Sequence, residues 1–337
     1  MRISDFDYDL PEARIAQHPV EPRDGARLLV DRGDVAAPEH RHVRDLPELL
    51  RPGDVLVVND TRVIPARLRL QRASGGAAEV LLLEPRHGER RTWEALVRPA
   101  RKLHRGEQLY DDGGVALVEI GERTEAGDTF TVTILGDGDP MELLARHGEM
   151  PLPPYITAPL VDRERYQTVY AREPGSAAAP TAGLHLTDGV LDAIVARGIP
   201  LARVELVVGL DTFQPISEDD PTRHAMHSER YRVPPETAAL CREAHRVVAV
   251  GTTAVRALES AALTGEPDGR TRLFIHRPYD WRAVDVLMTN FHLPRTTLLM
   301  MIDAFIGPRW RRHYDLALDA GYRFLSFGDA LLLDRHA

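Results

Sequence analysis

Short apolar runs follow one another between about residues 61 and 137, and turns rich in Gly and Asp, such as residues 74–76 and 111–114, separate them. Apolar runs of this length, bounded by turn residues, are typical of β-strands. The pattern predicts strands at residues 66–70, 80–83, 93–97, 115–120 and 130–135. Short strands at this spacing indicate a small all-β barrel or sandwich.

The pattern differs on both sides of that stretch. Apolar runs at residues 27–30 and 55–58 predict two buried strands, and the proline-rich residues 151–155 (PLPPY) predict a rigid extended segment or the wall of a site. After it, helical and extended patterns alternate. The predicted helices cover residues 188–196, 235–245, 254–262 and 296–305, and the predicted strands cover residues 204–208, 247–250 and 284–288.

Alternating strands and helices form α/β domains. The predicted fold class is therefore α/β, with one α/β domain formed by both ends of the chain, residues 1–60 and 149–337. Residues 61–148 form an inserted all-β, barrel-like domain. The length of 337 residues agrees with two domains, because single cores stop growing below that size.

The amino-acid composition excludes several kinds of catalytic and binding site. The single cysteine, Cys241, excludes an internal disulfide and a cysteine-ligated iron–sulfur cluster. The single lysine, Lys102, excludes a phosphate-binding P-loop and leaves only itself for Schiff-base chemistry. No apolar run is long enough to span a membrane, and the N-terminal residues are too polar for a signal peptide, so we expect a cytoplasmic protein.

Charge is distributed unevenly. The net charge is −9, yet residues 62–105 carry eleven basic and four acidic residues. Nucleic-acid binding needs only a local basic surface. This stretch is either an RNA-facing patch or an arginine-rich, solvated β surface, and the charge pattern fits both.

Two polar segments contain histidines that could act as acids or bases. In residues 179–185 (APTAGLH), His185 is either a general base or a loop histidine bonded to a main-chain carbonyl. In residues 224–229 (HAMHSE), Glu229 could orient His227 and raise its basicity, or the segment could be a polar loop. We expect no metal, because no further cluster of ligands accompanies the two histidines of this segment.

Two more segments lie where predicted strands end, which is where α/β proteins place their sites. In residues 250–259 (VGTTAVRALE), a Gly-Thr-Thr turn opens a helix and can hold an anion, and Arg256 can pair with Glu259. In residues 288–298 (MTNFHLPRTTL), Asn290 and His292 offer hydrogen-bonding groups. The ring of Phe291 either contacts a sulfonium or a base, or belongs to the core.

Read together, these segments resemble the S-adenosylmethionine:tRNA ribosyltransferase-isomerase family of queuosine biosynthesis. The resemblance covers nearly the whole chain, in family order. It includes residues 5–24, 59–68 (NDTRVIPARL), 93–103 (WEALVRPARKL), 148–156, 162–187, 224–229, 250–260, 289–300 and 321–333. The fold that the resemblance implies, an α/β domain with an inserted all-β domain, agrees with the pattern above.

The resemblance implies a reaction on tRNA. The ribosyl group of S-adenosylmethionine is transferred and isomerised onto 7-aminomethyl-7-deazaguanine at the wobble position of tRNAs with GUN anticodons. Epoxyqueuosine-tRNA, adenine and methionine are the products. S-adenosylmethionine is consumed as a substrate, so no cofactor or metal is expected, and we expect a monomer. Two alternatives stay open: a paralogue with a small-molecule acceptor, and a non-catalytic RNA-binding relative.

We assign the expected site residues on this basis. The catalytic candidates are His185, His227, Glu229 and His292. The substrate-binding candidates are Thr181, Gly183, Gly251, Thr252, Thr253, Asn290 and Phe291. The tRNA-binding candidates are Asp60, Arg62, Arg98, Arg101, Lys102 and Tyr166.

The chain departs from the family pattern at two places. Val207 and Asp211 stand where the family usually has a histidine and a glycine, and residues 275–281 (IHRPYDW) replace a usual Tyr-Pro-Gly-Tyr. Either change could alter the acceptor or abolish activity.

Overall fold

A computed structural model describes the chain except for residues 35, 87–89, 125–126, 210–215, 217 and 225. Its α-helices are α1 Leu46–Leu49, α2 Pro140–His147, α3 Asp188–Ala196, α4 Pro235–Glu243, α5 Thr252–Thr264, α6 Thr297–Ile306 and α7 Trp310–Asp319. None of the described helices is long and apolar enough to cross a membrane.

The strands fall into two main groups and one small pair. Those outside the barrel are β1 Arg27–Val30, β2 Glu39–His42, β3 Asp54–Asn59, β4 Thr61–Val63, β11 Glu173–Ser176, β12 Leu201–Leu206, β13 Glu229–Arg232, β14 Arg246–Val250, β15 Asp268–Thr271, β16 Val286–Asn290 and β17 Ala330–Asp334. Those of the barrel are β5 Arg67–Arg72, β6 Ala77–Pro85, β7 Thr92–Arg98, β8 Gln108–Tyr110, β9 Ala116–Arg123 and β10 Phe130–Ile134.

Within the described residues, nine strands form one mixed sheet in the order β15-β13-β12-β3-β14-β16-β17-β1-β2. The central strands β12, β3, β14 and β16 are parallel, and β3 is buried along its whole length. A strand buried on both faces reads as a continuous apolar run, which is why residues 55–58 are so easily recognised. The parallel strands place their carboxyl ends at one edge of the sheet.

Helices and loops cover both faces of this sheet. Successive strand residues point to opposite faces, and β3 follows that rule. Val55 and Val57 pack in a core layer with α5 and α6, whereas Leu56 and Val58 pack in the other layer with α1 and α3. The two layers together hold the carboxyl ends of the central strands in fixed positions.

The inserted part of the chain forms a closed barrel in the strand order β10-β7-β6-β5-β8-β9. Burial alternates along its strands, most regularly in β7 and β10, so inward side chains such as Trp93 and Val132 fill the interior. Together with the sheet formed by both ends of the chain, the barrel confirms the predicted fold class. The predicted boundaries at residues 61 and 148 bracket the barrel strands and stay a prediction.

Candidate functional site

A cavity opens at the carboxyl ends of β14 and β16. It encloses about 580 Å³, counting the space open to solvent. Gly251 follows β14 and Asn290 ends β16, so the parallel register brings two of the polar segments identified from the sequence to one place. Residues Thr181, Thr252, Thr253, Phe291 and His292 also line this cavity.

The amino end of α5 forms one side of the cavity. Gly251 adopts a φ of 88°, a conformation that favours glycine, and its N–H donates to the carbonyl of Met288 on the neighbouring strand. Thr252 and Thr253 are buried, and the hydroxyl of Thr253 has no hydrogen-bond partner among the described residues. Free main-chain N–H groups and the helix dipole make such an end suited to an anion.

A chain of side-chain hydrogen bonds runs from the cavity into the protein. The Thr181 hydroxyl donates to Oδ1 of Asn290 at 2.9 Å, and Nδ2 of Asn290 lies 3.0 Å from Nε2 of His185. Thr181 and Asn290 line the cavity, whereas His185 does not. His185 lies behind Asn290, beside a smaller cavity that Arg23 and Arg165 also line.

His292 is the histidine that lines the main cavity among the described residues. Its Nε2 lies 3.0 Å from the Thr289 hydroxyl, and its main-chain N–H donates to the hydroxyl of Tyr314 at 3.0 Å. The hydroxyl of Tyr8 donates to its carbonyl. Burial lowers the pKa of His292 to about 3, so the ring is neutral at physiological pH and its position is fixed.

Two further walls of the cavity come from residues 151–155, which the sequence predicted as a rigid segment or the wall of a site, and from residues 325–326, which it did not single out as chemical. Tyr155 and Ser326 face each other through a 2.7 Å hydrogen bond between their hydroxyls. Leu325 has a φ of 69°, which is unusual for a branched residue and is found where surrounding structure imposes it. No charged side chain lines this cavity among the described residues.

Two expected ligand-facing aromatic residues lie in the interior instead. Phe291 borders the cavity, but its ring is fully buried and packs against Tyr314, Tyr322 and Phe324, so the ring belongs to the core. The structure places Tyr166 away from solvent, with its ring edge-on to Phe327, so it does not face an RNA surface. Aromatic rings gain stability by burying a large apolar area, which accounts for the buried positions of Phe291 and Tyr166.

His227 and Glu229 line a separate groove between the barrel and the sheet, which encloses about 2410 Å³ when the space open to solvent is counted. Val208 lines the main cavity and Val207 lines this groove, so the two spaces lie on opposite sides of the chain after β12. The exposed ring of His227 has Nε2 4.0 Å from the carboxylate of Asp128. The structure therefore does not bring His227 into the cavity that contains His292.

The partner of Glu229 is a buried arginine of α5. Arg256 donates to Glu229 and to the carbonyl of Leu273, and burial lowers its pKa to about 10. The suggested pair of Arg256 with Glu259 is wrong, because Glu259 instead accepts hydrogen bonds from the main-chain N–H groups of residues 282–284. Glu229 is thus tied to the fold by a buried ion pair.

Comparison with known proteins identifies the family. The model of the family described as "Queuosine biosynthesis protein" matches residues 3–333. The chain belongs to this family. A relative from Symbiobacterium thermophilum, named S-adenosylmethionine:tRNA ribosyltransferase-isomerase, is 51% identical over 99% of this chain and 100% of its own length. A relative of the same name from Moorella thermoacetica is 50% identical over the same shares.

A solved structure supports the same assignment. The crystal structure of an S-adenosylmethionine tRNA ribosyltransferase from Thermotoga maritima is 37% identical and matches with a TM-score of 0.55. The match covers 97% of this chain and 99% of that one. The family predicted from the sequence is therefore confirmed.

Residues 62–105 carry less unpaired positive charge than their composition indicates. Five of their arginines form ion pairs with acidic residues: Arg62 with Glu164, Arg69 with Glu149, Arg72 with Glu107, Arg86 with Glu94 and Arg105 with Glu122. The exposed side chains of Arg98, Arg101 and Lys102 have no acidic partner among the described residues. These three residues, at the end of β7, form what we call the basic turn.

Asp60 lies at the carboxyl end of β3 and is buried. Its Oδ2 is 3.7 Å from Nη1 of Arg203. Burial raises the pKa of Asp60 to about 6, although Arg203 acts in the opposite direction. Asp60 is thus a carboxyl group that changes charge near neutral pH, rather than an exposed RNA contact.

The described departures from the family pattern lie beside the groove and against helices α5 and α6. Val207 lines the groove, and Asp211 lies outside the described residues. In residues 275–281, Arg277 forms a bidentate pair with Asp303 and Tyr279 donates to Glu259. That segment is held to α5 and α6, and none of its residues lines the cavity.

Proposed function

We propose that the protein transfers and isomerises the ribosyl group of S-adenosylmethionine onto 7-aminomethyl-7-deazaguanine at the wobble position of tRNAs with GUN anticodons. The products are epoxyqueuosine-tRNA, adenine and methionine. Family membership supports the reaction class. The observation that carries the proposal is an uncharged cavity with a neutral histidine on one side and a helix amino end on the other.

The cavity suits the charges of S-adenosylmethionine. Its methionine carboxylate would bind at the amino end of α5, where Gly251, Thr252 and Thr253 supply N–H groups and hydroxyls. Its sulfonium would lie near His292, which is neutral and so does not repel a cation. Thr181 and Asn290 offer hydrogen bonds to the ribose.

His292 is the proposed acid–base residue, because it touches the space where the ribose would lie. The sulfonium acidifies the neighbouring C5′ hydrogens, and the neutral imidazole has a lone pair that can accept the proton, although burial makes this ring a weaker base than a free histidine. The acceptor amine must lose its own proton before it attacks, and desolvation lowers the pKa of an amine. His227 and Glu229 line the separate groove, outside the cavity where the ribose would lie, so we assign them no proton transfer there. We propose no metal or separate cofactor for this chemistry.

The basic turn is the proposed contact with tRNA phosphates. Its three cations have no acidic partners among the described residues, and phosphate contacts dominate the affinity of proteins for nucleic acids. Arg62 would contribute if tRNA displaces Glu164 from it. We propose that the protein acts as a monomer in the cytoplasm.

Adenine release tests the proposed function. The protein is incubated with S-adenosylmethionine and either tRNA that carries the acceptor base or the free acceptor base. Adenine release with the tRNA only supports the proposal. Release with the free base only would show a small-molecule acceptor, and RNA binding without adenine release would show a non-catalytic relative.

A further inference from the structure

His185 is a buried histidine that the proposed chemistry does not use. Its ring is separated from the main cavity by Asn290, to which Nε2 is joined at 3.0 Å. It belongs to a short 3₁₀-helix, Thr181–His185, that also carries Thr181. The two ends of this helix therefore hydrogen-bond the two polar atoms of the Asn290 side chain, Oδ1 through Thr181 and Nδ2 through His185.

The surroundings of His185 disfavour a positive charge on its ring. Three arginines approach it, and hydrogen bonds hold each of them to main-chain carbonyls: Arg23 to Leu184, Arg165 to Val20 and Arg323 to His18. Burial, together with the positive charges of the three arginines, lowers the pKa of His185 to about 3. The ring is therefore neutral across the physiological range.

The hydrogen bonds define the orientation of the Asn290 amide. The Thr181 hydroxyl donates to Oδ1, so Nδ2 must face His185. An amide N–H needs an acceptor, so Nε2 carries the lone pair and the proton of the neutral ring lies on Nδ1. Each amide atom of Asn290 keeps one more hydrogen-bonding position.

We infer that His185 is a positioning residue that sets the orientation of the Asn290 amide toward the nucleoside ligand. Asn290 then offers one N–H and one oxygen lone pair at the cavity wall, which together match a ribose hydroxyl. This inference rests on the proposed function for the identity of the ligand, but the tautomer of His185 can be tested without it.

Three variants of His185 separate positioning from acid–base catalysis. In His185→Gln, the side-chain oxygen can accept from Asn290 near the place of Nε2, whereas the shorter side chain of His185→Asn cannot reach it. His185→Leu removes the acceptor altogether. Calorimetry measures the affinity of each variant for S-adenosylmethionine, and adenine release measures kcat and KM.

We expect His185→Gln to keep affinity and kcat within about fivefold of wild type, because it restores the hydrogen bond. We expect His185→Asn and His185→Leu to lose about tenfold in affinity, mainly as a higher KM, with the pH profile of kcat unchanged. A loss of about 100-fold or more in kcat in all three variants, together with loss of one limb of that profile, would overturn the inference.

Nitrogen NMR of wild-type protein labelled at histidine tests the tautomer directly. The His185 signals are assigned as those missing from His185→Gln. A protonated Nδ1 and an unprotonated Nε2, with no titration above pH 5, are expected. A proton on Nε2 at neutral pH would overturn the inference, even if the wild-type protein released no adenine and the proposed function failed.

Discussion

Gly183 is the residue whose replacement tests the packing under the site most sharply. A Cβ at this position would lie 1.9 Å from the hydroxyl oxygen of Tyr170, 2.9 Å from its Cζ and 3.0 Å from Cγ2 of Thr168. Real Cβ contacts are not that short, so Gly183→Ala must displace the buried Tyr170 ring or the helix that carries Thr181 and His185.

The size of the effect follows from this overlap. Overpacking a close-packed interior costs about 1–3 kcal/mol, and a clash with a ring that cannot swing into solvent belongs at the upper end. We therefore expect Gly183→Ala to lower the free energy of unfolding by about 3 kcal/mol. For a domain of this size, that lowers Tm by roughly 6 °C or more.

Gly189 supplies the matched control. It lies in the first turn of α3, exposed, and a Cβ there would meet nothing within 4 Å. Gly189→Ala should raise stability by about 0.5 kcal/mol, because alanine loses less conformational entropy in a helix. Thermal unfolding followed by circular dichroism measures both variants.

Tyr170 provides a second control. Its buried hydroxyl makes at most a weak contact with Thr168, so Tyr170→Phe alone should change stability by no more than about 1 kcal/mol. Combined with Gly183→Ala, it should recover part of the loss, since one of the two closest contacts disappears. If Gly183→Ala melts at the wild-type temperature, the described packing of this helix against Tyr170 is wrong.

Three further predictions concern charged groups. Asp60 has a folded-state pKa of about 6, raised from 3.8, so its buried carboxylate destabilises the folded protein once pH exceeds that value. Asp60→Asn should therefore stabilise the protein by up to about 3 kcal/mol above pH 6 and have little effect below pH 4. Thermal melts at a series of pH values measure this. Arg256→Met leaves the buried carboxylate of Glu229 unpaired and should cost about 3–5 kcal/mol, and adding Glu229→Leu should recover most of it; equal melting temperatures of the single and double variants would contradict this account. Alanine replacement of Arg98, Arg101 or Lys102 should each make the plot of log affinity for tRNA against log salt concentration less steep by about 0.7–0.9. Arg105→Ala removes an arginine that is already paired with Glu122, so it should change this slope less.

The strands that carry the site could be predicted because their side chains are buried on both faces. The apolar runs of β3, β14 and β16 are continuous, so these strands are visible in the sequence, although β16 ends at Asn290, two residues beyond its predicted end. Strand β13 and its neighbour at the edge of the sheet, β15, were not predicted. Their sequences, ERYR and DGRT, pair at the margin of the sheet and carry too few apolar residues to produce a strand pattern.

The partners of the polar residues could be predicted less well, because they lie far apart along the chain. Arg256 is three residues from Glu259, yet it pairs with Glu229, 27 residues away, since the fold brings β13 against α5. Spacing on a helix predicts which side chains can pair within that helix, but it does not show whether another part of the fold supplies a better partner. His185 and His292 look equivalent in sequence, and only the intervening Asn290 separates their roles.

Labelled substrate tests the central claim most directly. The protein is incubated with S-adenosylmethionine carrying carbon-13 in its ribose and with tRNA that carries 7-aminomethyl-7-deazaguanine, and the tRNA nucleosides are analysed by mass spectrometry. The account predicts that the five labelled carbons appear in the modified wobble nucleoside, while the released adenine and methionine stay unlabelled. Label that stays entirely in small molecules would contradict it.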